Sequence, residues 1–303
     1  MHRQHKIGTT PINEEATMKT FIIAGLAALA LAACQQADAP EVDAPAEMAG
    51  KKMMDKSVDM AGADDMGNSN AVMMAMQADG RPEADMKDDA LRKAADVLAF
   101  TGVSAGMTVV DLEAGSGYYS ELFSRIVGES GKVMMQNPGV IDNFIKPEVF
   151  EARLGKNGER LKNVTHIRGN FDVLDVPDAS ADLVTWFLGP HELWLKDEDG
   201  ALTLGAPDAV YAEIYRVLKP GGKFVALDHK AAPGSPATTG GTTHRIDPAH
   251  ILASAQKAGL VFKKSSDVLA NSADDYDIMV FDPKVRRKTD RFLHMYVKPM
   301  KTR

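Results

Sequence analysis

The segment Val109-Val110-Asp111-Leu112-Glu113-Ala114-Gly115-Ser116-Gly117-Tyr118-Tyr119 restricts the fold more than any other part of the chain. It reads as an apolar strand closing on acids, a glycine-rich turn, and the opening of an amphipathic helix. Glycines at 115 and 117 permit backbone angles and a close approach that a Cβ would block. The helix that follows points unpaired N–H groups at the turn. Two glycines between a strand and a helix suit a plain structural turn as well as a ligand cradle, and these residues alone leave both open.

Downstream landmarks recur at the spacing of a doubly wound α/β sheet. Gly131-Lys132-Val133-Met134-Met135-Gln136-Asn137 is expected to be a short strand with a polar end, about twenty positions after the glycine turn. Residues 164–170 and 181–188 are apolar-rich with β-branched members and read as buried strands. A helix over 209–218 is stopped by Lys219-Pro220-Gly221-Gly222, and Lys223-Phe224-Val225-Ala226-Leu227-Asp228-His229 forms the next strand. Upstream, a helix over 87–100 sets Leu91, Ala94, Ala95 and Leu98 at spacings of three and four, so that one face packs on the sheet.

Together, the Asp111-to-Gly117 turn, the Ala181-Asp182-Leu183-Val184 strand and the Val217-Leu218-Lys219-Pro220-Gly221-Gly222 turn resemble the class I S-adenosylmethionine-dependent methyltransferases over residues 84–299. Gly117-Tyr118-Tyr119, Gln136-Asn137-Pro138 and His244-Arg245-Ile246-Asp247 resemble predicted bacterial members of that superfamily more closely. The resemblance implies a Rossmann-like α/β fold: a seven-stranded, mostly parallel sheet with helices on both faces and an antiparallel last strand, for which Arg291–Val297 is the candidate. It implies S-adenosylmethionine as cofactor and a small-molecule acceptor. Asp111, Glu113, Gly115 and Gly117 would surround the amino-acid end of the donor. Asn137 would face the ribose, Asn170 the adenine edge and Phe171 the adenine face. Two positions depart from the family pattern. Glu113 stands where a glycine is usual: if φ is positive there it would strain the turn, and if not the acid would hydrogen-bond the donor's ammonium. Asn137 replaces an acid, keeping hydrogen-bonding capacity without the charge.

The front of the chain is of another kind. Lys19, the apolar run 21–33 and Leu31-Ala32-Ala33-Cys34 read as an export signal, residues 18–34, ending in a lipobox whose cysteine is the only one among 303 residues. Glu14 and Glu15 precede the basic region, so residues 1–17 are expected to be a mis-assigned extension with Met18 as initiator. Residues 35–83, rich in Met, Ala and Asp, read as a disordered tether, and 84–303 as the methyltransferase-like domain. A lipid on Cys34 would hold the domain at a bacterial membrane facing the periplasm; with the signal unused the protein is cytoplasmic. A net charge of −7 without a long basic cluster speaks against a nucleic-acid substrate. Arg286-Arg287-Lys288 is only a short basic patch, expected to face solvent.

Acceptor chemistry belongs beyond the carboxyl ends of the strands. His191 and Glu192, His229 after Asp228, and His244 with Arg245 all map there. His191 or His229 is the candidate general base, Arg245 would orient an anionic acceptor, and Trp194 would wall the pocket. No metal ligands are assigned, although the three imidazoles with Glu192 and Asp228 would suit an ion if they converged. The leading expectation is therefore methyl transfer to a small molecule. The alternative is an envelope-anchored binding protein that keeps the fold and has lost or changed its cofactor.

Overall fold

The computed structural model describes residues 62–300. The proposed extension, the signal, Cys34 and most of the tether lie outside the described residues. Three helices come first: α1 (Gly62–Met76), α2 (Glu83–Arg92) and α3 (Ala94–Thr101). The body follows as β1 (Thr108–Leu112), α4 (Tyr118–Val127), β2 (Lys132–Asn137), α5 (Gly139–Asp142), α6 (Pro147–Leu154), β3 (Val164–Arg168) and β4 (Ala181–Phe187). It ends with α7 (Pro207–Val217), β5 (Leu218–His229), α8 (Gly240–Thr243), α9 (Pro248–Lys257), β6 (Val261–Ser266) and β7 (Arg291–Val297).

The seven strands form one sheet in the order β3-β2-β1-β4-β5-β7-β6. The first five are parallel, and β7 enters antiparallel between β5 and β6, as the sequence implied for Arg291–Val297. After β1 the chain moves outward through β2 and β3, then returns to lay β4 against the other side of β1. The carboxyl ends of β1 and β4 thus flank the topological switch point, where open α/β sheets bind ligands.

Side-chain alternation along the buried strands makes two cores. On one face Val110, Leu112, Trp186, Phe224 and Tyr296 pack on Tyr211, Ile214 and Val217 of α7 and on Ile251 of α9. On the other, Val109, Leu183, Val225 and Leu293 pack on Val97 and Leu98 of α3 and on Leu122 and Phe123 of α4.

Three local expectations are corrected. The folded body starts upstream of 84: α1 buries Val72 and Ala75 in the second core, and Arg81 is sealed in an ion pair with Asp89 at 2.8 Å. A helix that exposes Met73 and Met74 resembles a tether by composition, because few of its residues carry the packing. The segment 87–100 is two helices rather than one, broken at Lys93 (φ 46°), which turns Leu91 out to 45% exposure while Ala94 and Leu98 stay buried. The Lys219-Pro220-Gly221-Gly222 segment is a bulge inside β5, not a gap before it. Ala181 pairs with Leu218 and Leu183 with Lys223, so Asp182 alone faces the excursion and takes Lys219 Nζ at 2.7 Å. No helix among the described residues is long and apolar enough to cross a membrane.

Candidate functional site

At the end of β1 the chain turns through Glu113 at φ 51°, a left-handed conformation that favours glycine and costs a residue with a Cβ about 1–2 kcal/mol. The strain anticipated from the sequence is therefore real, and what Glu113 does with it differs from expectation. Its carboxyl accepts the Trp186 indole N–H at 2.8 Å and lies beside the Glu192 carboxyl. Burial, and then the adjoining Glu192 carboxylate, push Glu113 well above the usual carboxylate range. The partner loop after β4 is also strained, with Leu188 at φ 62°. Gly189 is required here, since a Cβ would stand 2.0 Å from Glu113 Oε2.

The following turn keeps an open concavity. Gly115 has φ 57°, and a Cβ there would meet nothing within 4 Å. Gly117, at φ 83°, is closed instead: a Cβ would press on Met135 and Arg153. Asn137 is fully buried and spends its amide on the turn itself, accepting from the Gly115 N–H at 2.9 Å and donating to the Gly115 carbonyl at 3.0 Å and to Asp142 at 2.9 Å. Both of its N–H groups are used, so it clamps the cradle rather than facing a ribose. Asp111 is likewise internal, accepting from Ser120 and Thr185 at 2.7 Å each; burial raises it to about 6. Phe171 is fully buried against Trp186, with ring centroids 4.6 Å apart, and is core rather than an adenine platform. Asn170 stands exposed just past β3.

Across the switch point lies a cavity of about 150 Å³ lined by Asp88, Leu91, Arg92, Leu188, His191, Glu192, His229 and a set of residues from 280–291. Glu192 wall and Glu113 turn touch, so cavity and cradle are neighbours. His191 sits on the 3-10 turn Pro190–Trp194, almost fully buried. Its Nδ1 lies 2.9 Å from Asp228 Oδ1, and its backbone N–H donates to Oδ2 at 2.7 Å. Burial works against charge on His191, but the Asp228 carboxylate outweighs it and holds the imidazole above its ordinary value. His229 also lines the cavity, with Nδ1 2.7 Å from the Thr289 hydroxyl; burial and then the neighbouring His191 and Arg291 keep it well below its ordinary value. His244, at φ 54°, points Nδ1 at His191 Nε2 across 3.1 Å. Burial and then His191 bring it down to about 4.

The expected histidines therefore do converge, but two further expectations fail. Arg245 is completely buried, and all five guanidinium N–H groups are spent inside the protein: on the Ile278, Lys230 and Asp275 carbonyls and twice on Asp274. None remains for an acceptor. Trp194 packs against the first core, near His250, away from the cavity. The basic residues that do reach the cavity are Arg92, Arg286, Arg287 and Arg291. Arg287 pairs with Asp88 at 2.6 Å and Arg92 lies 4.3 Å from the Tyr118 ring centroid. The patch at 286–288 is thus not merely solvent-facing. Its meeting with α2, about two hundred positions earlier, is a tertiary event without local signal, as Arg287–Asp88 illustrates with a separation of 199.

Residues 86–234, just under half of the chain, match the model of the ubiE/COQ5 methyltransferase family. The ubiquinone/menaquinone biosynthesis C-methyltransferase UbiE of Escherichia coli (strain K12 / DH10B) is 33% identical over 134 residues, covering 42% of this chain and 45% of the relative. The chain thus spans less than half the length of the curated relatives it matches. Geranyl diphosphate C-methyltransferase from Streptomyces coelicolor A3(2) superposes with a TM-score of 0.50 at 14% identity, over 78% of this chain and 99% of that one. Phosphoethanolamine N-methyltransferase 2 of Haemonchus contortus, solved with S-adenosyl-L-methionine, gives 0.50 at 15% identity, over 76% and 60%. The fold is that of the class I methyltransferases.

Proposed function

We propose that this chain is a class I S-adenosylmethionine-dependent methyltransferase that acts on a small acceptor bearing an anionic group. One observation carries the reading: the open glycine turn after β1 and the arginine-walled cavity beyond β4 meet at the switch point, where Glu113 packs on Gly189 in the loop that brings His191 and Glu192 to the cavity. The family match supports this reading and lends nothing to a binding protein with an altered ligand.

The cradle fits the donor in part. The turn from Glu113 to Ser116 is half-exposed, and the space before Gly115 admits a ligand against the backbone. Asn170, exposed just past β3, would meet the adenine edge, whereas Asp111, Asn137 and Phe171 are buried and would shape the site from behind. S-adenosylmethionine supplies an electrophilic methyl group. The protein's part is to hold the acceptor in line and remove its proton. Arg92, Arg287 and Arg291 would hold the anionic group, as guanidinium groups favour carboxylates and phosphates. His229 is the proton acceptor in this arrangement, because it lines the cavity, while His191 is committed to Asp228 and His244.

The test is incubation of the full chain with methyl-labelled donor and a panel of small phosphates and carboxylates. The expected result is a labelled small-molecule product, with acceptor KM raised about tenfold or more in Arg291→Met, the scale of one lost charged hydrogen bond. No labelled product from a protein that binds the donor, or a product made equally well by the variant, would remove the acceptor assignment.

A further inference from the structure

We propose that His191, Glu192 and His244 form a binding site for a divalent transition-metal ion. The inference goes beyond methyl transfer and does not rest on it.

The three candidate ligand atoms all lie within 4.8 Å of one another. His191 Nε2 is 3.1 Å from His244 Nδ1 and 3.9 Å from Glu192 Oε1. Ligands held at roughly 2.0–2.2 Å from a common ion stand about 3–4 Å apart, so two separations already fit and a sub-ångström shift closes the set. The stronger observation is the support behind it. A ligating imidazole characteristically gives its other ring N–H to a carboxylate, which fixes the tautomer and the ring plane. His191 has that arrangement: Asp228, with no exposure, receives Nδ1–H and the backbone N–H of the same residue, leaving Nε2 to face His244.

His244 is fixed as firmly. Its ring lies 4.9 Å from that of Phe281, centroid to centroid, and its backbone is held at φ 54° where α8 ends. That helix is packed so tightly on the 191 turn that a Cβ at Gly240 would stand 2.2 Å from the His191 carbonyl. Strained backbone at both Leu188 and His244 is the kind of cost that persists when surrounding structure enforces a site geometry. Two imidazoles and one carboxylate select zinc, manganese or iron over magnesium or calcium, which prefer all-oxygen shells. Three protein ligands would leave further coordination positions open, and His191 and Glu192 stand in the cavity wall, from which solvent or a small ligand could fill them.

The experiment is calorimetric titration of chelator-stripped full chain with Zn²⁺ and Mn²⁺, and with Mg²⁺ as control. One equivalent of Zn²⁺ or Mn²⁺ is expected to bind, with little response to Mg²⁺. His244→Ala and Glu192→Gln should lose about a hundredfold or more in affinity, and Asp228→Asn about ten- to a hundredfold through the outer shell. His250→Ala, whose imidazole bonds the Ser235 carbonyl elsewhere, should bind as the parent does. Electron paramagnetic resonance of Mn²⁺ bound to the unsubstituted protein keeps the test intact if a variant does not fold. A folded parent that binds no stoichiometric ion, or one whose binding survives His244→Ala unchanged, would overturn the site.

Discussion

Replacing Arg245 by methionine should destabilise the protein severely without a selective effect on the acceptor. The guanidinium and its partner Asp274 are both at 0% side-chain exposure, 2.6 Å apart, and the arginine additionally ties three carbonyls from 230 and 275–278. Removing the cation strands a buried carboxylate and three carbonyls, and breaking a buried pair from one side costs about 3–5 kcal/mol. A domain of this size holds about 5–15 kcal/mol in total, so from about a fifth to most of the stability is at stake. Removing both charges is far less harmful, because no uncompensated ion remains. Urea unfolding of the parent, Arg245→Met, Asp274→Asn and the double variant provides the measurement. Each single variant should lose several kcal/mol, and the double variant less than the sum. A single variant with unchanged midpoint but a raised acceptor KM would refute this and restore Arg245 as a ligand-orienting residue.

Asp111 gives a pH-dependent prediction. Its carboxyl rises from 3.8 to about 6 on folding, mainly through burial, so its contribution is complete below the unfolded value and is lost as pH climbs through 6. Asp111→Asn should therefore gain on the parent between pH 4.5 and 7.5 by about 2 kcal/mol, measured by urea unfolding at both pH values; a pH-independent difference would dismiss the shift. Gly189→Ala keeps an allowed backbone (φ −131°) but places a Cβ 2.0 Å from Glu113 Oε2 and 2.6 Å from Trp186 Nε1. It should cost about 1–3 kcal/mol and alter tryptophan emission, whereas an unchanged melting temperature would mean the loop yields freely. Lipidation of Cys34 is a proposal from sequence alone: expressed in a bacterial host, the parent should sediment with membranes and incorporate labelled fatty acid, and Cys34→Ser should do neither.

Elements whose residues carry their own instructions were legible. The glycine turn and the buried strands β1, β2, β4 and β5 are each specified within a short window by burial pattern and turn chemistry; the antiparallel Arg291–Val297 followed from the family resemblance, and residues 164–168, read as a buried strand, form the half-exposed edge strand β3. β6 was not legible as a particular segment, because Val261-Phe262-Lys263-Lys264-Ser265-Ser266 lies at the sheet edge and is mostly exposed, so no face alternates cleanly. α1 was hidden for the reason its methionines show: Val72 and Ala75 dock while Met73 and Met74 face out. At the site, sequence order placed His191, His229 and His244 beyond the strand ends, but convergence depends on loop packing. Arg245 shows the limit most clearly. An arginine in a glycine- and threonine-rich loop has the same local signature whether it meets a ligand or a buried aspartate 29 residues away. Asn137 likewise holds the expected position at the end of β2 and spends its amide on Gly115, which only the three-dimensional closeness of the two strand ends could reveal.

Donor binding tests the central claim most directly. Calorimetric titration of the full chain with S-adenosylmethionine and with its demethylated product should give saturable, one-to-one binding of both. Gly115→Val, which would fill the open space before the turn at a residue already at φ 57°, should abolish it while the protein remains folded by circular dichroism. Absence of binding to either compound by a folded parent, or unaltered affinity in the variant, would contradict the assignment of the glycine turn as the donor cradle.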